Sequence, residues 1–228
     1  MDVDYARRYV HLRQLKKRKP KERTKIFMNN YGCNILISGV GGQGTVLASR
    51  LLAAAAISDG KFARTAETIG MSQRGGCVVS HVRIDSEKKS SVIPLQSADV
   101  LISFELAEAA RNLARLSKDS VAIVNTQVIK PVTASLGNDD YDAEAMKESI
   151  VKNTKKVYFI DGYALAQKAG TVKAVNVVLL GAATATGMLP FDKAAMLKAI
   201  AENVPAKFID LNIDAFNLGY ECALNYNG

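Results

Sequence analysis

The chain has 228 residues, of which 48% are hydrophobic, and a formal net charge of +8. This length and apolar content suit one globular domain with a sizeable core, and no apolar run approaches the ~18 residues of a membrane span, so no membrane association is expected. The three cysteines are far apart in sequence: Cys33, Cys77 and Cys222. They are too few and too scattered for a four-thiolate iron–sulfur cluster or a structural metal site, and they fit a reducing cytoplasm.

The positive charge is concentrated in the first residues. Residues 1–25 hold ten Lys or Arg and three Asp or Glu, so they carry +7, and the other 203 residues carry only +1. We therefore predict a flexible basic N-terminal extension over residues 1–30 and one α/β domain over residues 31–228. Met28 is a candidate natural start, which would make residues 1–27 an upstream extension. Nucleic-acid binding through the tail stays open as an alternative, but the near-neutral domain gives no reason to expect it.

A glycine-rich turn follows the first predicted strand, in "NILISGVGGQGTVLASRLLAAAA" at residues 34–56. Its G-x-G-x-x-G spacing, between a strand and a helix, is the one that holds a dinucleotide pyrophosphate. A nicotinamide site also needs an acidic residue at the end of the second strand. Asp59 precedes that strand and Glu67 comes 28 residues after Gly39. A free-standing NAD(P)-binding oxidoreductase is therefore only an alternative, and glycines that serve tight packing alone are another.

The most polar segment is "RTAETIGMSQRGG", residues 64–76. We expect it to leave the carboxyl end of a strand beside the glycine turn, where open α/β sheets bind ligands. Within it, Arg74 has the geometry to clamp a phosphate or carboxylate. An ordered surface loop whose Arg and Glu side chains pair with each other is the alternative.

The rest of the chain alternates strands and helices. "CVVSHVRI" alternates and predicts a half-buried strand, with His81 as a hydrogen-bonded structural residue. Buried strands are predicted in "ADVLISF", "SVAIVN" and "KVYFID", and helices in "ELAEAARNLARL" and "AEAMKESIVK". "VKAVNVVLLGAATATGMLP" predicts a helix of small residues, stopped by Pro190, that is either central to the core or buried at a subunit interface. A helix capped by Asp192 and a closing helix follow. This order predicts a Rossmann-like, mostly parallel, doubly wound sheet flanked by helices in a single domain.

Four segments in this order resemble the gamma-type component of 2-oxoacid:ferredoxin oxidoreductases: "GVGGQGTVLASRLLAAAA", "RTAETIGMSQRGGCVVSHVRI", "VNVVLLGAA" and "LNIDAFNLGY". The branch that the sequence resembles most is the small (beta) subunit of the indolepyruvate enzymes. The resemblance covers about residues 32–225 and leaves out the basic extension. Its specificity comes from the combination of "TAETIGMSQRGG" with "VGGQG", because either glycine pattern alone is common.

The resemblance implies an enzyme subunit that is inactive alone. The family oxidatively decarboxylates a 2-oxo acid, here an aryl pyruvate, forms an acyl-coenzyme A and reduces ferredoxin. Thiamine diphosphate and iron–sulfur clusters would belong to a large partner subunit, with none bound by this chain. No residue of this chain is expected to be catalytic or to bind a metal. The expected contacts with coenzyme A or the partner's cofactor are Gly41, Gly42, Gln43, Gly44, Glu67, Ser72, Gln73, Arg74 and Gly75.

Overall fold

The computed structural model describes residues 32–69, 76–85, 90–128 and 141–226. The basic extension and most of the polar bend before Gly76 lie outside these ranges, and so do His11, Met28 and Arg74. Within the described ranges the chain forms six strands: β1 (Cys33–Val40), β2 (Ala63–Ile69), β3 (Cys77–Ile84), β4 (Ala98–Ser103), β5 (Leu116–Asn125) and β6 (Lys156–Ile160). The same ranges contain seven α-helices: α1 (Thr45–Ser58), α2 (Leu106–Arg111), α3 (Ala143–Lys152), α4 (Gly162–Lys168), α5 (Val175–Ala185), α6 (Lys193–Asn203) and α7 (Ile209–Leu224).

The six strands form one sheet in the order β2-β3-β1-β4-β5-β6. Strands β1, β4, β5 and β6 are parallel neighbours, and β3 runs antiparallel to both β1 and β2. Strand β2 therefore runs in the same direction as β1, and the carboxyl ends of β1, β2, β4, β5 and β6 lie along one edge of the sheet. This α/β architecture confirms the predicted fold class, and the antiparallel β3 makes the sheet a mixed one.

Helices cover both faces of the sheet, as expected for a doubly wound fold. One apolar cluster joins Ile35 and Ile37 of β1 to α1, α5, α6 and α7. A smaller cluster on the opposite face joins Leu36 of β1 to α2 and α3. Alternate β1 residues thus enter two different cores, which explains why this strand is apolar throughout instead of alternating.

The predicted half-buried character of β3 is wrong. His81 and Arg83, on the side expected to face solvent, are 1% and 3% exposed. The segment before β4 covers them: the Ile93 amide donates to His81 Nδ1 at 3.3 Å, and Arg83 donates to the Ser90 carbonyl at 2.7 Å. Burial lowers the pKa of His81 to about 4, and the charges of Arg115 and Arg83 add to this effect. The alternating pattern of β3 therefore marks one face of polar side chains, and this face is buried. The segment before β4, instead of water, forms hydrogen bonds with these side chains.

The small residues of α5 allow an unusually close contact with α7. A methyl group added at Gly181 would lie 2.0 Å from the Phe216 carbonyl oxygen, and one at Gly219 would lie 1.9 Å from that of Val178. Helix α5 is thus central to the core, one of the two positions that its composition allowed. The expectation that Pro190 stops it is wrong. The helix ends at Ala185, and Gly187 adopts a left-handed backbone conformation (φ +73°) before the proline is reached.

The predicted cap of α6 is confirmed, and the predicted helix after β4 is present but shorter. Asp192 caps α6, since its carboxylate accepts the Ala195 amide at 2.9 Å. The predicted helix after β4 is shorter than expected, because α2 ends at Arg111 and a separate 3₁₀ turn, Leu113–Arg115, follows. Among the described helices, none has the length and apolar content needed to cross a bilayer.

Candidate functional site

The glycine turn, residues 39–44, connects β1 to α1 at the carboxyl edge of the sheet. Gly42 and Gly44 adopt positive φ angles of 102° and 83°, which favour glycine. Gly44 also lies against Asn176 of α5: a methyl group there would approach Asn176 Nδ2 to 2.7 Å. Backbone geometry therefore favours glycine at both positions of the turn, and at Gly44 the contact with Asn176 does so as well.

The Gln43 side chain points into the protein and stabilises the turn through two hydrogen bonds. Its Oε1 accepts the Val40 amide at 2.7 Å, and its Nε2 donates to the Phe104 carbonyl at 3.1 Å. A methyl group at Gly39 would lie 2.8 Å from Gln43 Oε1, so this glycine makes room for the glutamine. The side chain of Gln43 thus fixes the conformation of the turn.

Two backbone amides of the turn are already hydrogen-bonded inside the protein. The Gly41 amide donates to the Gly76 carbonyl at 2.8 Å, and the Gln43 amide donates to the Val40 carbonyl at 3.2 Å. The α1 N-terminus has no side-chain cap from Gly44 and no acidic residue in its first turn. The first-turn amides and the dipole of this 14-residue helix favour an anion at its N-terminus.

The two described ends of the polar segment, at Ile69 and Gly76, lie near the glycine turn. Strand β2 pairs with β3 so that Ile69 lies opposite Val78, and Cys77 of β3 lies opposite Val40 of β1. Together with the bond from Gly41 to Gly76, this register brings both flanks of the bend to the carboxyl end of β1. The predicted site residues of the bend itself fall outside the described ranges: Ser72, Gln73, Arg74 and Gly75.

Glu67 lies on β2 and is exposed. Its Oε1 accepts a hydrogen bond from the buried hydroxyl of Ser49, in the second turn of α1, at 3.2 Å. Glu67 is therefore on the α1 side of the sheet near the glycine turn. Asp59, by contrast, caps the far end of α1 and pairs with Lys61 at 2.7 Å. Because a 14-residue helix is about 21 Å long, Asp59 cannot hold the ribose of a nucleotide bound at the turn.

A buried acidic group lies beside the turn, on the α2 face. Glu105 accepts from Tyr141 at 2.5 Å and caps α2 through the Glu108 amide at 3.0 Å. Glu108, 2% exposed, forms an ion pair with Arg111. Burial, followed by the hydrogen bond and the charge of Glu108, raises the pKa of Cys77 to about 11. The Cys77 thiol is therefore protonated at neutral pH and is a poor nucleophile.

The described cysteines are all free and are not arranged to bind a cluster. Cys33 and Cys77 stand at opposite ends of the β1–β3 ladder, about 23 Å apart at the usual rise per residue. Within the described ranges, no group of three or more His, Cys, Asp and Glu side chains could hold a metal ion. The three cysteines, all of which lie in the described ranges, do not fit an iron–sulfur cluster.

Sequence reasoning missed three residues that fix the turn. The Phe104 carbonyl receives Gln43, Asn125 donates to the same carbonyl at 3.1 Å, and Asn176 reaches the Gly44 carbonyl at 3.5 Å. Both asparagines are buried, at 0% and 4% exposure. Their signal in the sequence is a single amide inside an apolar run, in "VAIVN" and "VNVVLL". A buried polar side chain needs a partner, but the pattern alone does not say which one.

Comparison with known proteins identifies the family. A family model described as pyruvate ferredoxin/flavodoxin oxidoreductase matches residues 34–222. The chain belongs to this family. The match covers the sheet, the glycine turn and most of α7, and it leaves out the basic extension, as the resemblance of the sequence motifs predicted.

Individual members of the oxidoreductase family agree with this assignment. The chain is 38% identical to the indolepyruvate oxidoreductase subunit IorB of Archaeoglobus fulgidus over 193 residues, which cover 84% of this chain and 96% of that protein. The gamma subunit of a keto/oxoacid ferredoxin oxidoreductase from Geobacter sulfurreducens superposes with a TM-score of 0.63 at 29% identity, covering 85% and 99% of the two chains. A pyruvate oxidoreductase subunit, PORC, from Thermotoga maritima gives a TM-score of 0.63 at 26% identity, covering 84% and 96%.

Proposed function

We propose that this chain is the small, gamma-type subunit of an indolepyruvate, or other aryl pyruvate, ferredoxin oxidoreductase. The complex oxidatively decarboxylates the 2-oxo acid, forms an acyl-coenzyme A and reduces ferredoxin. The observation that supports this most strongly is 38% identity over almost the whole length of an indolepyruvate oxidoreductase subunit. The three free, scattered cysteines agree with a cytoplasmic location.

In this proposal the cofactors belong to a large partner subunit. Thiamine diphosphate there supplies the carbanion chemistry of decarboxylation, and iron–sulfur clusters carry electrons to ferredoxin. The scattered cysteines of this chain support that division. This chain's own part is to bind and orient, so it is inactive when purified alone.

The glycine turn and the adjoining polar bend form the proposed contact surface. The uncapped N-terminus of α1 suits a phosphate of coenzyme A or of the partner's cofactor, because its first-turn amides and dipole favour an anion. Gly41, Gly42, Gln43 and Gly44 contribute shape and backbone there. Glu67, Ser72, Gln73, Arg74 and Gly75 would supply the polar side of the surface, with Arg74 as the cation.

Co-expression with the large subunit tests the proposed function. We expect the two chains to co-purify, and the complex to reduce ferredoxin in the presence of indolepyruvate and coenzyme A, whereas neither chain does so alone. Ferredoxin reduction by the isolated small chain, or full activity of the large subunit without it, would contradict the proposal.

Arg74→Ala tests the contact surface. We expect the apparent KM for coenzyme A, or the Kd for the large subunit, to rise about tenfold, as for loss of one charge-assisted contact. Lys152→Ala is the control, because it removes an exposed cation from α3 on the other face of the sheet. Unchanged KM and Kd in the Arg74 variant would remove this residue from the site.

A further inference from the structure

A chain of carboxamide hydrogen bonds, partly buried at Gln43 and fully buried at Asn125, runs along the carboxyl edge of the sheet. The Val40 amide donates to Gln43, Gln43 donates to the Phe104 carbonyl, and Asn125 donates to the same carbonyl from the other side. Asn125 Oδ1 in turn accepts the Gly162 amide at 2.9 Å. The chain therefore connects the ends of β1, β4 and β5 with the start of α4.

The Phe104 carbonyl is the point where the two amides meet. Both Gln43 Nε2 and Asn125 Nδ2 lie 3.1 Å from its oxygen. The Phe104 amide donates to the Ser38 carbonyl at 2.8 Å, so this peptide is also held from the β1 side. Asn125 is 0% exposed and cannot touch a ligand or a partner chain directly. Its hydrogen bonds lead to the glycine turn through Phe104 and Gln43, and to the start of α4 through Gly162.

We propose that Asn125 is a positioning residue for the glycine turn. It fixes the Phe104 carbonyl, to which Gln43 is anchored, and so holds the turn in the shape that contacts coenzyme A or the large subunit. The inference rests on the proposed function of the turn. A buried amide whose donor and acceptor are both used has one orientation, and buried networks of this kind give a site its precision.

Two nearly isosteric substitutions break the chain at its centre. Asn125→Asp keeps the acceptor for the Gly162 amide, but it replaces the donor to Phe104 with an oxygen that repels the carbonyl. Gln43→Glu keeps the acceptor for Val40 and has the same effect from the other side. Because both changes displace the same carbonyl, their effects on the turn should not add.

The experiment uses the reconstituted complex of this chain with its large subunit. We measure the Kd for the large subunit and the apparent KM for coenzyme A in the wild type, in each single variant and in the double variant. We expect the Kd for the large subunit or the KM for coenzyme A to rise about tenfold in each single variant. The same constant should rise about tenfold in the double variant as well, whereas independent effects would multiply to about a hundredfold. In Asn125→Asp alone, the kcat at saturating coenzyme A and partner should stay within about twofold, since Asn125 touches no reacting atom.

Asn153→Asp is the matched control. Asn153 is exposed at the end of α3, where its side-chain Nδ2 donates to the Ser149 carbonyl at 2.8 Å. The control therefore makes the same chemical change away from the turn. Its Kd and KM should equal those of the wild type. The Tm of each isolated variant shows that the assays run on folded protein.

Three outcomes would overturn the inference. These are a lower Tm with unchanged Kd and KM, additive effects in the double variant, or the same change in the Asn153 control. A wild-type complex that does not assemble or does not turn over would instead overturn the proposed function, so the two failures are distinguishable.

Discussion

Gly44 is the residue where backbone conformation and side-chain contact act together. We expect Gly44→Ala to lower the free energy of unfolding by about 2–3 kcal/mol, because alanine is strained at positive φ and its methyl group would press on Asn176. Denaturant unfolding of the isolated chain measures the change.

Gly187→Ala separates the two causes of that loss. Gly187 has a similar φ of 73°, and a methyl group there would meet nothing within 4 Å. We expect it to cost about 1 kcal/mol from backbone strain alone. Equal losses in the two variants would mean that contact with Asn176 contributes nothing.

His81 makes stability depend on pH. Its folded pKa is about 4, below the ~6.5 of an unfolded histidine, so the unfolded chain takes up the proton first as the pH falls. The stability due to neutral His81 is thus complete above pH ~6.5 and is lost as the pH falls toward 4. Between pH 7 and 5 the loss is about 2 kcal/mol.

Comparison with His81→Asn isolates this effect. Asparagine keeps an acceptor for the Ile93 amide but does not titrate, so its unfolding free energy should fall less between pH 7 and 5 than that of the wild type. Identical pH profiles would show that His81 is protonated without penalty in the folded protein.

Local chemistry explains which residues the sequence could predict. Asp192 caps an amide three residues away, and the positive φ angles of Gly42 and Gly44 are local backbone features, so the cap and the turn are readable from the pattern. The partners of Gln43 and Asn125 are 61 and 21 residues away. Their roles depend on tertiary structure, and no local pattern specifies that.

At the scale of elements, the contact between α5 and α7 depends on two glycines. We expect Gly219→Ala to lower the free energy of unfolding by about 3 kcal/mol or more, because its methyl group would overlap the backbone of α5 and force the helices apart. Thermal or denaturant unfolding of the isolated chain measures it.

The control for that variant is Ala194→Gly on the exposed side of α6. This variant makes the reverse change at a position with no such contact. It should lower the free energy of unfolding by about 1 kcal/mol, because glycine has a lower helix propensity than alanine. Comparable stabilities of the two variants would show that the helices separate without cost.

The strand order was the least predictable part of the fold. The sequence indicated alternating strands and helices, and most of them are present near their expected positions. The antiparallel β3 between β2 and β1 was not predicted as such, because a strand carries no direction in its pattern and pairing is set by long-range packing. The burial of both β3 faces was missed for the same reason, since residues 90–97 cover one of them.

At the scale of the whole molecule, the charge is divided between two parts of the chain. We expect removal of residues 1–27 to leave the proposed assembly and activity intact, because the family match begins at residue 34.

Any binding of nucleic acid should be lost with the extension and should weaken steeply with salt, since seven of the eight net charges are there. Gel-shift and co-purification assays at two salt concentrations test both statements. Loss of assembly in the shortened chain would give the extension a role in docking.

The close crossing of α5 and α7 also has a consequence for synthesis on the ribosome. All six strands and α5 have been translated by residue 185, but the helix that covers α5 begins at Ile209. A truncated chain released between these points therefore lacks the helix that covers this apolar strip of α5. Such truncated products should be bound by chaperones or degraded, whereas the finished chain conceals the same strip.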